Sequence, residues 1–460
     1  MSISFDPRNL LASMVGEEHG LTTAEIYGGK EAAIAALRGF RKQWEEGKYG
    51  FPDLPGNKEL IREIEAAAKK LAGSYDTVCV VGIGGSALGC WAVDCAMRGP
   101  HPVQGEHSSK KPRLVILDNV DPDFLNHALD SMSPKKTVVV VIAKSGSTAE
   151  TMGGFLIVRE WLMEGIGKKA AGRIIAVTSE ARGDLKVLAT KEGYTTFHIP
   201  ENVGGRFSVL SAVGLVPAAL IGVNIKKLCR GAAEMTTAAW NEDLGENIAL
   251  SSALHHWLIL TLKKKAIQVA FPYSNSLWGT AFWFRQLWAE SLGKAKDRNG
   301  ATVNVGQTPI AALGTTDQHS QVQLYMEGPN DKVYSFWVVK KAKKPIKIPK
   351  VKLGLDGFDY LSGQSMGKLL DCERRATEAA LATSGRPNCS FTLDRVDEEH
   401  LGAFFQMMEF ETAFMGELMN IDAFDQEGVE LGKKFTYALM GRAGWDEFKE
   451  RFADYEKKRG

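Results

Sequence analysis

At 460 residues the chain exceeds one ordinary domain and has the length for two or three compact units around a large core. Its 44% hydrophobic and 24% charged residues are ordinary for a soluble globular protein. A net charge of +1 supplies no bulk field for nucleic acid or anionic membranes, so any charged ligand has to be recognised locally.

The start, MSISFDPRNLLAS, lacks the basic-then-apolar pattern of a secretory signal, and no run approaches the ~18 apolar residues of a membrane span. Six cysteines, at 79, 90, 95, 229, 372 and 389, form no CxxC pair, which argues against a zinc site or a disulfide scaffold. Reduced thiols in a cytoplasmic protein are expected, with neither membrane nor nucleic acid as partner.

Residues 1–70 mix helical patterns, AAIAALRGFRKQWEE and ELIREIEAAAKKLAG, with no strand-like run, and predict an N-terminal helical layer. From residue 77 the pattern becomes short β-branched runs: TVCVVG, RLVILDN, TVVVVIAK, RIIAVTSE and YTTFHIP. Such uniformly apolar strands, spaced for crossover helices, predict a parallel sheet covered on both faces in a first doubly wound α/β domain over 71–225. A second unit over 226–460 begins with helices and a strand at KAIQVAFPYS. The stretch QVQLYMEGPNDKVYSFWVV predicts a hairpin around Gly328–Asp331. The basic run KKAKKPIKIPK (340–350) lacks interleaved aromatics and is expected to be a solvated loop. The remainder returns to helices, with a Met- and Phe-rich core stretch at 404–418.

Several short stretches carry chemistry. VVGIGGSALG (80–89) follows a strand and opens a helix, where glycines admit a ligand to the backbone and to free N–H groups; it nearly matches a dinucleotide fingerprint, with a tight structural turn as the lesser reading. In IAKSGSTAETMGG (142–154) a strand ends in Lys144, Ser145, Ser147, Thr148 and Thr151. These hydroxyls read either as a nest for a small phosphoester or as an N-cap cluster. The double glycine in NVGGRFSVLSAVG (202–214) precedes Arg206, a guanidinium suited to a developing oxyanion if it projects into a cleft. AFWFRQLWAESLGK (281–294) predicts a helix apolar around most of its circumference, with Gln286 and Glu290 one turn apart on one face. An apolar setting makes a carboxylate more basic, which suits a group that takes up and returns a proton. GTTDQHSQVQ (314–323) places His319 in a polar loop expected to precede a strand.

Together GIGGSALG, AKSGSTAET, GGRFSVLSAVG, RQLWAESLGK, GTTDQHSQ and FDQEGVELGK resemble, in order and spacing over about residues 80–434, the glucose-6-phosphate isomerase family. The resemblance implies two doubly wound domains of the sugar-isomerase (SIS) type, a homodimer with its site at the subunit interface, and no cofactor or metal. It implies that Ser145, Ser147, Thr148 and Thr151 clamp the sugar phosphate, with Lys144 and Gly84, Gly85 and Ser86 in the adjoining turns. Glu290 resembles the base that moves a proton between C1 and C2, Gln286 its neighbour, and Arg206 the group stabilising a cis-enediolate. His319, supplied by the other subunit, and Lys433 resemble the pair that assists ring opening, and Gln426 lies near the sugar. Ala87, and the Ser145–Gly146 pair, depart from the commonest animal pattern. Other SIS-type isomerases share the phosphate turn; a non-catalytic sensor shares it too, without needing Glu290, Arg206, His319 and Lys433 together.

Overall fold

The computed structural model describes residues 3–99 and 111–460. Contrary to the strand-free N-terminal layer expected above, Ile3–Asp6 is a strand (β1), paired antiparallel with a segment almost 400 residues later in the chain. Four residues carry too little local pattern to be read alone; the partner makes them a strand. The long helix Thr23–Glu45 starts at a capping box in which Thr22 and Glu25 satisfy each other's backbone N–H groups.

Among the described residues, five parallel strands form a first sheet: β2 (Thr77–Val81), β3 (Arg113–Leu117), β4 (Thr137–Ile142), β5 (Ile174–Ser179) and β6 (Thr195–Ile199), in the order β3-β2-β4-β5-β6. All residues of β2, β4 and β5 are buried, as unbroken Val/Ile runs require when helices cover both faces. The second half contributes β7 (Ile267–Pro272), a small ribbon of β8 (Lys294–Lys296) and β9 (Thr302–Val305), then β10 (Thr308–Ala311), β11 (Lys332–Val339) and β12 (Asn388–Leu393). Its sheet runs β10-β7-β11-β12-β1, parallel except at the β1 edge.

The two sheets share one topology. In each, the first parallel strand lies between the second and the third, so chain direction diverges at one crevice beyond the carboxyl ends, where open α/β sheets bind ligands. That crevice falls between β2 and β4 in the first sheet and between β7 and β11 in the second. The expected doubly wound pair is therefore observed.

The expected hairpin at 321–339 is not. Val322–Glu327 is a helix closed by the Gly328 N–H on the Leu324 carbonyl, and β11 pairs with β7 and β12, both distant in sequence. A Gly-Pro-Asn-Asp turn joins any two elements, and here it joins helix to strand. β12 likewise interrupts the region read as purely helical. The basic run 340–350 is exposed apart from the half-buried Ile348, as a solvated loop should be.

Helix Glu398–Leu418 is buried from His400 through Gly416 and forms the axis of the main core, which places the Met- and Phe-rich stretch as expected. It also buries Glu409, whose two carboxyl oxygens meet no hydrogen-bond partner among the described residues. Burial pushes this carboxyl well above its ordinary value of 4.5, so the folded chain keeps the proton that the unfolded chain releases. Stability contributed this way is present below the ordinary value and declines as pH rises, by about 1.4 kcal/mol per pH unit, until the folded group ionises. Glu409→Gln is expected to raise the urea midpoint more at pH 8 than at pH 5; an equal shift at both would show that Glu409 ionises in the native state.

Candidate active site

Both turns at the first crevice come from strand ends: β2 runs into Gly82–Ser86 and β4 into Ala143–Thr148. Gly84 has φ +59°, and a Cβ there would stand 2.9 Å from Gln286 Nε2. A Cβ on Gly85 would stand 2.2 Å from the Gly205 carbonyl oxygen, whereas one on Gly205 would meet open space. The close approach before Arg206 therefore depends on Gly85 rather than on the double glycine itself. Ser86 is half-buried in the first turn of helix Gly85–Arg98, and Ala87 is buried beside it.

In the hydroxyl turn Ser145 is exposed, Ser147 and Thr148 are half-buried and Thr151 is buried. Ser147 Oγ donates to Ser145 Oγ at 3.2 Å. Thr148 stands at the N-cap of helix Ala149–Ile166, yet its hydroxyl makes no capping bond. The N-cap reading thus fails for Thr148, and the first N–H groups of the helix keep their capacity for an anion. Lys144 lies in this turn, as expected. Its Nζ donates to the carbonyls of Glu201 at 2.6 Å and Val203 at 3.0 Å, bracing the turn that leads to Arg206, and burial lowers its pKa.

From the second sheet, helix Trp278–Leu292 follows β7 much as helix Gly85–Arg98 follows β2, and the two helices pack on each other where Gly279 meets Ala92 and Cys95. Its aromatic residues serve both halves. Trp283 packs on Phe405 and Phe284 on Trp337, while Trp278 and Phe282 meet Trp91 of the first half. Trp288 is fixed by Gln307, which accepts its indole N–H at 3.2 Å, and by the edge of His256.

Packing on three sides leaves the Gln286–Glu290 face for the crevice. Gln286 Nε2 donates to Glu290 Oε1 at 3.1 Å, and Arg206 Nη1 donates to Glu290 Oε2 at 3.4 Å. The Glu290 side chain is 31% exposed against 1% for Arg206. The carboxylate is thus held by a cation and an amide at the rim of a cavity, and the apolar enclosure expected from the helix pattern is not what surrounds it. Apolar side chains cover the other faces of the same helix.

Arg206 uses its whole fork. Nε donates to Ser291 Oγ at 2.7 Å, Nη2 to the carbonyls of Ala423 at 2.6 Å and Asp425 at 2.8 Å, and Nη1 to Gln426 Oε1 at 3.2 Å besides Glu290. Burial lowers its pKa, and Glu290 beside it works in the opposite direction. Ser291 and the two carbonyls were not foreseen. Ser291 is adjacent to Glu290 in the quoted motif, whereas a backbone carbonyl has no sequence signature.

His319 is exposed in the turn Thr316–His319, which leads into a helix and not the expected strand. Lys433, on helix Glu430–Leu439, pairs with Glu430 at 2.7 Å. Neither takes part in the hydrogen bonds of Glu290, Arg206 or Gln286 within the described chain. The helix carrying Lys433 does lean on the hydroxyl turn, through the Tyr437 hydroxyl and the Ser147 carbonyl at 3.4 Å. A cavity of about 420 Å³ opens beside Glu290, between Ala289–Lys296 on one wall and Asp425–Val429 on the other.

The chain folds as two doubly wound α/β sheets with a hydroxyl turn at the first switch point and a carboxylate–guanidinium pair between the halves, and its relatives place it among the isomerases. The model of the phosphoglucose isomerase family matches residues 56–452, and the chain belongs to that family. It is 41% identical to the glucose-6-phosphate isomerase of Carboxydothermus hydrogenoformans, over 99% of this chain and 98% of that one. Against the Rubrobacter xylanophilus enzyme of the same name the identity is 40%, over 96% and 99% of the two chains. The crystal structure of a glucose-6-phosphate isomerase from Chlamydia trachomatis superposes with a TM-score of 0.75 at 26% identity, covering 87% of this chain and 76% of that one.

Proposed function

We propose that this chain interconverts D-glucose 6-phosphate and D-fructose 6-phosphate, with Glu290 as the base. The observation that carries the reading is the Glu290 carboxylate, oriented by Gln286 and facing Arg206 Nη1 at 3.4 Å, beside an open cavity. An aldose–ketose exchange needs a base next to a carbon acidified by a carbonyl, and positive charge where the oxyanion forms.

In the open-chain sugar, Glu290 removes the C2 proton; the C–H electron pair becomes the C1–C2 double bond and the C1 carbonyl oxygen takes the negative charge. Arg206, held by four fixed acceptors besides Glu290, stabilises that cis-enediolate. Glu290 then returns the proton to C1 while the C2 hydroxyl proton passes to the C1 oxygen, leaving the ketone at C2. Ser145, Ser147, Thr148 and Thr151 bind the phosphate beside the Gly84–Ser86 turn, so that remote binding energy holds the reacting carbons in register. Gln426 contacts the sugar.

Ring opening falls to Lys433 and to His319 of a second copy of the chain, in a homodimer. Exposed His319 and the side chains of Ile346, Leu353, Leu355, Phe358 and Tyr360, each more than half exposed in the single chain, support an interface between copies. The reading assigns 71–225 and 226–460 to the two SIS domains and 1–70 to an added layer that lends β1 to the edge of the second sheet, and places the enzyme in the cytoplasm; no helix among the described residues is long and apolar enough to cross a membrane.

The test is a coupled assay for fructose 6-phosphate on purified protein of known oligomeric state, run with glucose, mannose and glucosamine 6-phosphates. Turnover with glucose 6-phosphate on the order of 1–1,000 per second is expected. Dimeric protein that makes no fructose 6-phosphate would exclude the assignment.

A further inference from the structure

Lys294 lies just past helix Trp278–Leu292 and has no part in the chemistry above. Its Nζ reaches three oxygens: the Glu290 carbonyl at 3.0 Å, the Asp425 carbonyl at 2.7 Å and Asp425 Oδ1 at 2.5 Å. The Lys294 side chain is 9% exposed. A lysine at a helix C-terminus commonly caps orphan carbonyls, and the bond to Glu290 is of that kind. Capping accounts for one donor of the ammonium and leaves the other two, both spent on Asp425.

The Asp425 carbonyl also accepts from Arg206 Nη2, so two cations share one backbone oxygen. Residues 423–426 thus supply two carbonyls and the Gln426 side chain to Arg206, and Lys294 ties that same segment to the helix bearing Glu290. Lys294 and Asp425 also stand on the two facing walls of the cavity beside Glu290. Phe424, next to Asp425 in the chain, is stacked on Tyr49 and packed on Phe207, which restrains the segment further.

We propose that Lys294 is a positioning residue for the isomerisation: by tethering residues 423–426 to the Glu290 helix it sets the placement of the Arg206 guanidinium relative to the Glu290 carboxylate. The inference rests on the roles given to Glu290 and Arg206. Because Lys294 does not touch the phosphate turn, which supplies the remote binding energy, its loss should act mainly on the chemical step, with only a small effect on binding through Gln426, which the same segment carries.

Lys294→Met keeps the apolar stem and removes the ammonium. It is expected to lower kcat about 30- to 100-fold, the scale of a misplacement near one ångström, with KM changed less than about threefold. Lys294→Arg, which can donate to the same oxygens, should recover most of the loss. In a Glu290→Gln background the same Lys294→Met change should cost little, because the group whose placement it sets is already disabled. Parent-like kcat in folded Lys294→Met overturns the proposal, as does a loss that appears equally in the Glu290→Gln background. Should Lys294→Met fail to fold, Asp425→Ala removes the side-chain acceptor from a partly exposed position. It is expected to lower kcat about 3- to 10-fold at constant KM, a smaller misplacement of the same kind, and an unchanged kcat there overturns the proposal equally. If Glu290→Gln itself turned over normally, the assignment of the base would be at fault rather than the tether.

Discussion

Glu290→Gln is expected to lower kcat about 1,000- to 10,000-fold while binding of a sugar phosphate stays within about threefold. The substitution is nearly isosteric. The amide oxygen can still accept from Arg206 at the 3.4 Å contact, and the NH2 that replaces the other oxygen can donate to Gln286 once that side chain turns its unpartnered Oε1 toward it, so the side chain stays oriented while the basic lone pair is lost. The phosphate turn, on the first sheet, is not touched. Two measurements separate these effects: the coupled assay for kcat, and calorimetric titration with a non-isomerising sugar phosphate for binding. Exchange of the C2 hydrogen with solvent should fall by the same factor as kcat, and exchange at the parent rate would reassign the base.

Arg206→Lys is expected to reduce kcat about 100- to 1,000-fold and to destabilise the fold by about 2–4 kcal/mol. Lysine keeps the charge and loses the fork. Arg206 bonds five acceptors at once, Ser291, the Ala423 and Asp425 carbonyls, Gln426 and Glu290, and a three-donor ammonium on a shorter reach leaves some of them unpaired. The charge would also drift from where the enediolate oxygen forms. Assay and urea unfolding should therefore move together in this variant, whereas Glu290→Gln should move the assay far more than the stability. Parent-like kcat in Arg206→Lys would show that positive charge alone suffices and that the fork geometry is unimportant.

The first sheet was legible because its strands are unbroken apolar runs ended by Gly- and hydroxyl-rich turns, a local pattern that needs no knowledge of the rest of the chain. The second sheet was harder. β1 and β12 are short and take their strand character from each other, and the turn before β11 reads as a hairpin only when its distant partners are unknown. The helix pattern around Glu290 correctly marked a carboxylate that apolar packing alone does not explain, and it suggested an apolar pocket. The second wall of that pocket comes from Arg206 and from residues 423–426, some 84 and 133 positions away in sequence at their nearest, and it turns the setting into an ion pair at a cavity rim.

By itself the sequence determined the α/β class, the strand-to-helix turns that carry Gly84–Ser86 and Ser145–Thr151, and the placing of Gln286 and Glu290 on one helical face. Each of these follows from periodicity or turn chemistry within about ten residues. Only the tertiary structure decided what those groups meet. It put Gly85 under the Gly205 carbonyl, set the Lys144 ammonium on the Glu201 and Val203 carbonyls, and gave Arg206 its set of backbone acceptors. The reason is that a backbone carbonyl is chemically identical at every position, so which ones converge on a guanidinium is settled by packing and leaves no mark in the order of side chains.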